Sequence, residues 1–209
     1  MKKLIYIVFF ITAFCQGQII NSYAYTAVGG PVSVTDSFNR TDSATLGTAD
    51  TGEVWNSNAG TGVFGILNNQ AYMSTPYSNS YAILETGITD LSVQCTAIYS
   101  GGEWGLVARW VDKTNWLKIV MADNYWIRIR KRVANVETNI TSVGFSPFPS
   151  GTVVRVDIVG DSVSVYWDDV LKATGNLAGA GVSTGTKVGI SSNAATGNYW
   201  EDFSVTEIK

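Results

Sequence analysis

From Glu103 to Val133 the chain alternates apolar and polar residues at a period of two through three consecutive runs. Side chains of an extended strand point to opposite faces in turn, so this pattern describes half-buried strands and does not fit a helix. In one run Leu117, Ile119 and Met121 take one side and Trp116, Lys118 and Val120 the other. In the next, Trp126, Arg128, Arg130 and Arg132 share a side. Asp112-Lys113-Thr114-Asn115 and Ala122-Asp123-Asn124 separate the runs, with Asp and Asn supplying turn chemistry. The stretch is therefore expected to be an antiparallel meander.

Strand signals continue on both sides of it. Val32–Phe38, Val63–Leu67, Gln70–Met73, Tyr81–Glu85 and Leu91–Tyr99 precede the meander. Asn135–Ser142, Thr152–Val159, Ser162–Trp167, Val170–Ala173, Lys187–Ser191 and Tyr199–Ile208 follow it. In Thr152–Val159, Val154, Val156 and Ile158 face one way and Arg155 and Asp157 the other. Asn68-Asn69 suits the positive φ angles of a two-residue hairpin turn. Asn39 to Gly60 reads as a long polar loop, pinned to the core by Trp55. No run outside the N-terminus has a helical period. About twelve to fourteen short strands with turns between them predict an all-β, two-sheet antiparallel sandwich.

Residues 1–17 have the pattern of a secretory signal peptide. Lys2 and Lys3 precede an apolar run, Leu4–Phe14, and Cys15 and Gly17 supply small residues at the cleavage site. That run is eleven residues, against the ~20 needed to cross a bilayer, so no transmembrane span is expected. A lipoprotein anchored on Cys15 and a retained segment are the alternatives. Residues 18–31 form a lead-in, and 32–209 the domain. The expected location is secreted or cell-surface. Without the leader only Cys95 remains, so no internal disulfide is expected, and its strand pattern makes it a buried core thiol. The formal charge is −3 and becomes more negative without the two leader lysines. An acidic domain of this kind is a poor partner for nucleic acid.

Several stretches resemble the concanavalin A-like lectin/glucanase superfamily, in its laminin-G-like jelly-roll branch. They are Asp36-Ser37-Phe38-Asn39-Arg40, Gly105-Leu106-Val107-Ala108-Arg109 with Asn115-Trp116, Val154-Arg155-Val156-Asp157-Ile158, Val163 to Asp169, Val188-Gly189-Ile190, and Glu201 to Val205. The resemblance covers about Val32 to Lys209. It implies a jelly-roll sandwich and leaves function among lectins, carbohydrate-binding modules, adhesion domains, glycosidases and domains on phage virions.

Glycosidases on this fold carry a Glu-x-Asp-x-Glu type of strand, which this chain lacks. The chain also has no histidine, which removes Ser-His-Asp sites and histidine-ligated zinc. The resemblance further implies a structural Ca²⁺, for which Asp36 and Asp202 are the candidates in terminal strands. The favoured reading of each is a strand or turn cap, with the metal role second.

The aromatic and basic side chains of the meander give the functional expectation. If the polar sides of its strands coincide, Trp116, Lys118, Trp126, Arg128 and Arg130 line one face as a ligand site. Trp stacks on sugar rings, and Arg forks bind hydroxyls or carboxylates. The same side chains could merely cover the sheet, or form a protein interface. The expected function is a secreted, non-catalytic domain that binds an extracellular or cell-surface polysaccharide. The alternative is a structural surface or virion decoration subunit that binds protein subunits.

Overall fold

The computed structural model describes residues 32–57, 62–122, 125–145, 147–179, 181–193 and 197–209. The expected leader over 1–17, the lead-in over 18–31 and the Asp123-Asn124 turn lie outside the described residues. Among the described residues there is no helix, and none long and apolar enough to cross a membrane.

Val32–Lys209 forms one compact unit of fourteen strands in two antiparallel sheets. The eight-stranded sheet runs β12 (Val170–Asn176), β11 (Ser162–Trp167), β10 (Thr152–Val159), β5 (Leu91–Ile98), β14 (Tyr199–Glu207), β3 (Gln70–Thr75) and β2 (Val63–Leu67). Its eighth strand, β1 (Ser33–Asp36), pairs with the later part of β14. The six-stranded sheet runs β4 (Ser80–Glu85), β13 (Lys187–Ser192), β6 (Glu103–Asp112), β7 (Asn115–Ala122), β8 (Trp126–Val133) and β9 (Val136–Gly144). This is the two-sheet antiparallel sandwich that the strand pattern predicts, in the jelly-roll form that the resemblance implies.

The core lies between the sheets and follows the period-two reading. Leu91, Val93, Cys95 and Ala97 of β5, with Val154, Val156 and Ile158 of β10, are fully buried. Leu117, Ile119 and Met121 of β7 and Ile127 and Ile129 of β8 face them from the six-stranded sheet. Cys95 is buried, and its thiol donates to the Glu201 carbonyl at 3.0 Å. Burial pushes that thiol's pKa well up, so it behaves as a small apolar side chain. Trp55 does pin the long loop: its ring lies 5.8 Å from Phe38 and 5.2 Å from Phe203.

Val156→Ala or Val165→Ala should each cost ~1–3 kcal/mol, as truncation of a buried aliphatic does. Arg155→Ala, on the opposite face, should cost less than ~1 kcal/mol, because its ion pairs with Asp157 and Asp169 are partly exposed. Equal losses in chemical denaturation at all three positions would contradict this facing.

Turn chemistry sets the hairpins. Asn68 and Asn69 have φ of 52° and 62°, and Asp168 and Asp169 have 44° and 62°, as two-residue hairpins require. The β8–β9 turn is Ala134-Asn135, at φ 48° and 67°, so Asn135 is a turn residue and β9 starts at Val136. The sequence reading began that strand one residue early because Asn135 follows an alanine, which gives no turn signal. On one side the sandwich is stitched between its edge strands: Thr141 of β9 donates to the Thr174 carbonyl of β12 at 2.7 Å.

Candidate functional site

The register of β7 and β8 decides whether the meander's polar sides coincide. Trp116 pairs with Arg132, Lys118 with Arg130, Val120 with Arg128 and Ala122 with Trp126. Directly opposed residues of an antiparallel pair project to the same face. Since Ile119 and Ile129 face the core, Trp116, Lys118, Trp126, Arg128 and Arg130 all lie on the outer face of the six-stranded sheet. Tyr81 and Ile83 of β4, Glu103, Gly105 and Val107 of β6, and Ser191 of β13 share it.

The five candidates are not equally open. Trp126 is 40% exposed, and its ring lies across Gly144, where a Cβ would meet it at 3.6 Å. The Arg128 guanidinium stands 6.0 Å from the centre of that ring. Trp116 is fully buried and Lys118 is 1% exposed. The expectation of two open Trp rings is corrected here. Trp116 belongs to a second apolar cluster on the outer face, with Tyr81, Ile83, Val107 and Trp110. The Arg132 guanidinium covers it at 4.9 Å. Long side chains thus roof one half of the face, while the Trp126 end remains accessible.

Trp110 reaches this cluster through a backbone irregularity. Trp104, Leu106 and Ala108 of β6 face the core, so strict alternation would put Trp110 there too. The β6–β7 register breaks between Ala108 and Asp112, and Arg109 sits at φ 47°. That bulge shifts the parity of the strand and turns Trp110 outward, 4.8 Å from the Tyr81 ring. Arg109 itself is buried, held by Asp90 at 3.1 Å and the Thr89 carbonyl at 3.3 Å.

A chain of charges runs across the roofed half. Glu103 accepts from Lys118 Nζ at 2.5 Å and from Arg130 Nη1 at 3.2 Å. The same Arg130 nitrogen reaches Glu137 at 3.3 Å, and Arg132 Nη2 reaches the other oxygen of Glu137 at 3.1 Å. Lys118 Nζ also lies over the Trp116 and Tyr81 rings at 5.4 Å and 5.8 Å. Glu103, Glu137, Arg132 and Tyr81 were not expected from the sequence as a group. Their partners lie on four different strands, and only the register of Arg132 with its neighbours hinted at a shared face.

Seven buried side-chain polar atoms of the described residues have no hydrogen-bond partner, and four of them lie on this face: Tyr81 Oη, Ser191 Oγ, Arg130 Nε and Arg132 Nε. Buried polar groups are nearly always paired, so four such atoms on one face are a departure that the chain's own contacts do not account for. Burial drives the Tyr81 pKa upward, which keeps its hydroxyl a neutral donor. Gly105 leaves room for Ser191, since a Cβ there would lie 2.6 Å from Ser191 Oγ.

The candidate calcium ligands behave differently. Asp36 is fully buried, and its two oxygens take four donors. These are Arg40 Nη1 at 2.6 Å, Arg40 Nη2 at 2.8 Å, the Phe38 N–H at 2.9 Å and Trp55 Nε1 at 2.6 Å. A carboxylate filled in this way does not fit a Ca²⁺ ligand; it anchors the loop. Asp202 is exposed at φ 50°, where the β14–β5 register breaks between Glu201 and Ser204. Among the described residues no three His, Cys, Asp or Glu side chains group as a metal site.

No family model matches the sequence, and no curated protein does. Solved structures do match. Carbohydrate-binding module CBM66 from Bacillus subtilis is 15% identical with a TM-score of 0.54, over 73% of this chain and 91% of that one. The catalytic domain of an endo-1,3-β-glucanase (laminarinase) from Thermotoga petrophila is 13% identical with a TM-score of 0.54, over 87% of this chain and 100% of that one. Domain 4 of an extracellular arabinanase from Geobacillus stearothermophilus, solved with arabinotriose, is 15% identical with a TM-score of 0.53, over 85% and 92%. At these identities the likeness shows the fold. The chain has a jelly-roll sandwich fold like that of these domains.

Proposed function

We propose that the chain is a secreted or cell-surface domain that binds a polysaccharide without cleaving it, on the outer face of the six-stranded sheet. The observation that carries this is an accessible Trp126 ring beside Arg128, on a face that also holds four unpartnered buried polar atoms. Sugar rings offer both an apolar surface for stacking and many acceptors for such donors. The fold's occurrence in a carbohydrate-binding module and in an arabinanase domain solved with a sugar supports the reading.

The carboxylates of the face support binding over catalysis. A retaining glycosidase needs two carboxyls ~5 Å apart, one of them protonated to serve as acid. Glu103 and Glu137 approach through a shared Arg130 nitrogen, and Lys118 adds a second cation to Glu103. Each carboxylate is thus held in ion pairs within the chain and is not presented to a substrate. The alternative function, a structural surface or virion subunit, draws support from Val170 and Leu171, both more than half exposed on edge strand β12.

Affinity electrophoresis against a polysaccharide panel tests the reading. Trp126→Ala should weaken binding about tenfold, the loss of one stacking contact, with little dependence on salt. Binding unaffected by Trp126→Ala would remove the site from this face. A ligand-silent oligomer in size-exclusion mass measurement would favour the structural subunit.

A further inference from the structure

We propose that Arg130 and Arg132 form a receptor for the anionic group of an acidic sugar, and that Glu137 occupies this receptor in the absence of ligand. The inference rests on the reading of this face as a carbohydrate site and adds the chemical class of the ligand.

The geometry is that of a bound carboxylate. The two oxygens of Glu137 are divided between Arg130 Nη1 and Arg132 Nη2, at 3.3 Å and 3.1 Å. A carboxylate shared between guanidinium forks is the arrangement in which Arg recognises acidic ligands. The two sides of the contact are unequal. Arg130 and Arg132 belong to β8, flanked by β7 and β9, and their side chains are 14% and 19% exposed. Glu137 belongs to β9, the edge of the sheet, and is 29% exposed. The cations are fixed and the carboxylate sits at the rim, where an outside anion can replace it.

Charge balance points the same way. On β6 to β9 the face carries Lys118, Arg128, Arg130 and Arg132 against Glu103 and Glu137, while Lys187 of β13 and Glu85 of β4 offset each other. This positive surplus lies on a chain whose formal charge is −3. Donors remain for the rest of the sugar. Arg130 Nε, Arg132 Nε and the Tyr81 hydroxyl have no acceptor. Tyr81 lies beside the same charge cluster, with the Lys118 ammonium 5.8 Å from the centre of its ring. A carboxylate of a uronic acid and a sulfate ester present the same chemistry here, and the test separates them.

The test is calorimetric titration of the intact chain with four polymers: polygalacturonate, dextran sulfate, neutral laminarin and poly-glutamate. The acidic polysaccharides should bind at least about tenfold more tightly than laminarin at low salt, with the gap narrowing as salt rises. Preference for polygalacturonate assigns the site to carboxylates, and preference for dextran sulfate to sulfate esters. Arg132→Gln should weaken acidic binding about tenfold and leave laminarin binding nearly unchanged. Because Arg132 also roofs Trp116, Glu137→Gln is the second variant; it removes the internal competitor and should tighten acidic binding about threefold or more. Tyr81→Phe removes only an unpartnered hydroxyl, so it should weaken binding with no loss of thermal stability, a combination a purely structural tyrosine would not give. Laminarin binding equal to or tighter than that of both acidic polymers overturns the proposal and leaves the carbohydrate reading standing. Poly-glutamate binding as tight as polygalacturonate replaces the sugar with an acidic peptide and overturns it too. No gain from Glu137→Gln overturns the competitor role. No binding to any of the polysaccharides removes both readings together.

Discussion

Asp36→Ala is expected to destabilise the domain by about 3–5 kcal/mol, the cost of removing the fully buried carboxylate of an ion pair and stranding its other donors. The carboxylate joins three parts of the chain. It closes a local turn through the Phe38 N–H, pairs with Arg40 one turn on, and reaches Trp55 in the long loop. Removing it strands the Trp55 indole N–H, which lies between the Phe38 and Phe203 rings, and leaves Arg40 with only the Leu46 carbonyl and the more distant Asp50. Asp36→Asn should recover part of the loss, because an amide oxygen still accepts from the indole and the backbone. Chemical denaturation measures both variants. A loss for Asp36→Ala below ~1 kcal/mol, the range of an exposed pair, would show that the loop is held by its apolar contacts alone.

Glu103→Gln is expected to cost a similar amount, about 3–5 kcal/mol, and for a different reason. The glutamine keeps the volume of the side chain but leaves the Lys118 ammonium, 1% exposed, without its counter-charge. The Lys118 ammonium already lies over the Tyr81 and Trp116 rings, so an apolar end there would meet aromatic surface. Adding Lys118→Met to Glu103→Gln should therefore restore most of the stability, since an apolar replacement of a buried pair is often neutral. A double-mutant cycle reads the coupling directly. Equal losses in the single and the double variant would place the cost elsewhere than in the stranded ammonium.

The inward and outward facing of nearly every strand was legible in the sequence, because burial on one sheet face forces a period of two. Val154, Val156 and Ile158 against Arg155 and Asp157 is the clearest example. The shared face of Trp116, Lys118, Trp126, Arg128 and Arg130 was legible on the same ground, given the register of β7 with β8. Whether an outward residue is open or covered was not legible, since alternation says nothing about what lies above a sheet. Trp116 is sealed by Arg132 and by Tyr81 from a strand more than thirty residues earlier. Simple alternation would misplace Trp110, because an arginine at positive φ leaves no mark in the sequence. For Asp36, the turn to Phe38 and the pair with Arg40 are local and readable, while the bond to Trp55 depends on how a long loop folds back.

The place of β14 in the sandwich has a consequence for how the chain acquires its structure. This strand follows all the others in sequence, yet it is an interior strand, bonded to β5 along one edge and to β3 and β1 along the other. The meander β6 to β9 can pair as it is made, each strand beside its immediate predecessor, with short loops to close. The eight-stranded sheet has no such order of assembly. Until Tyr199–Glu207 is available, β1, β2 and β3 have no strand through which to join β5, β10, β11 and β12. The six-stranded sheet can therefore be almost complete while the opposing sheet still has a gap. Insertion of Tyr199–Glu207 joins the two halves of the eight-stranded sheet.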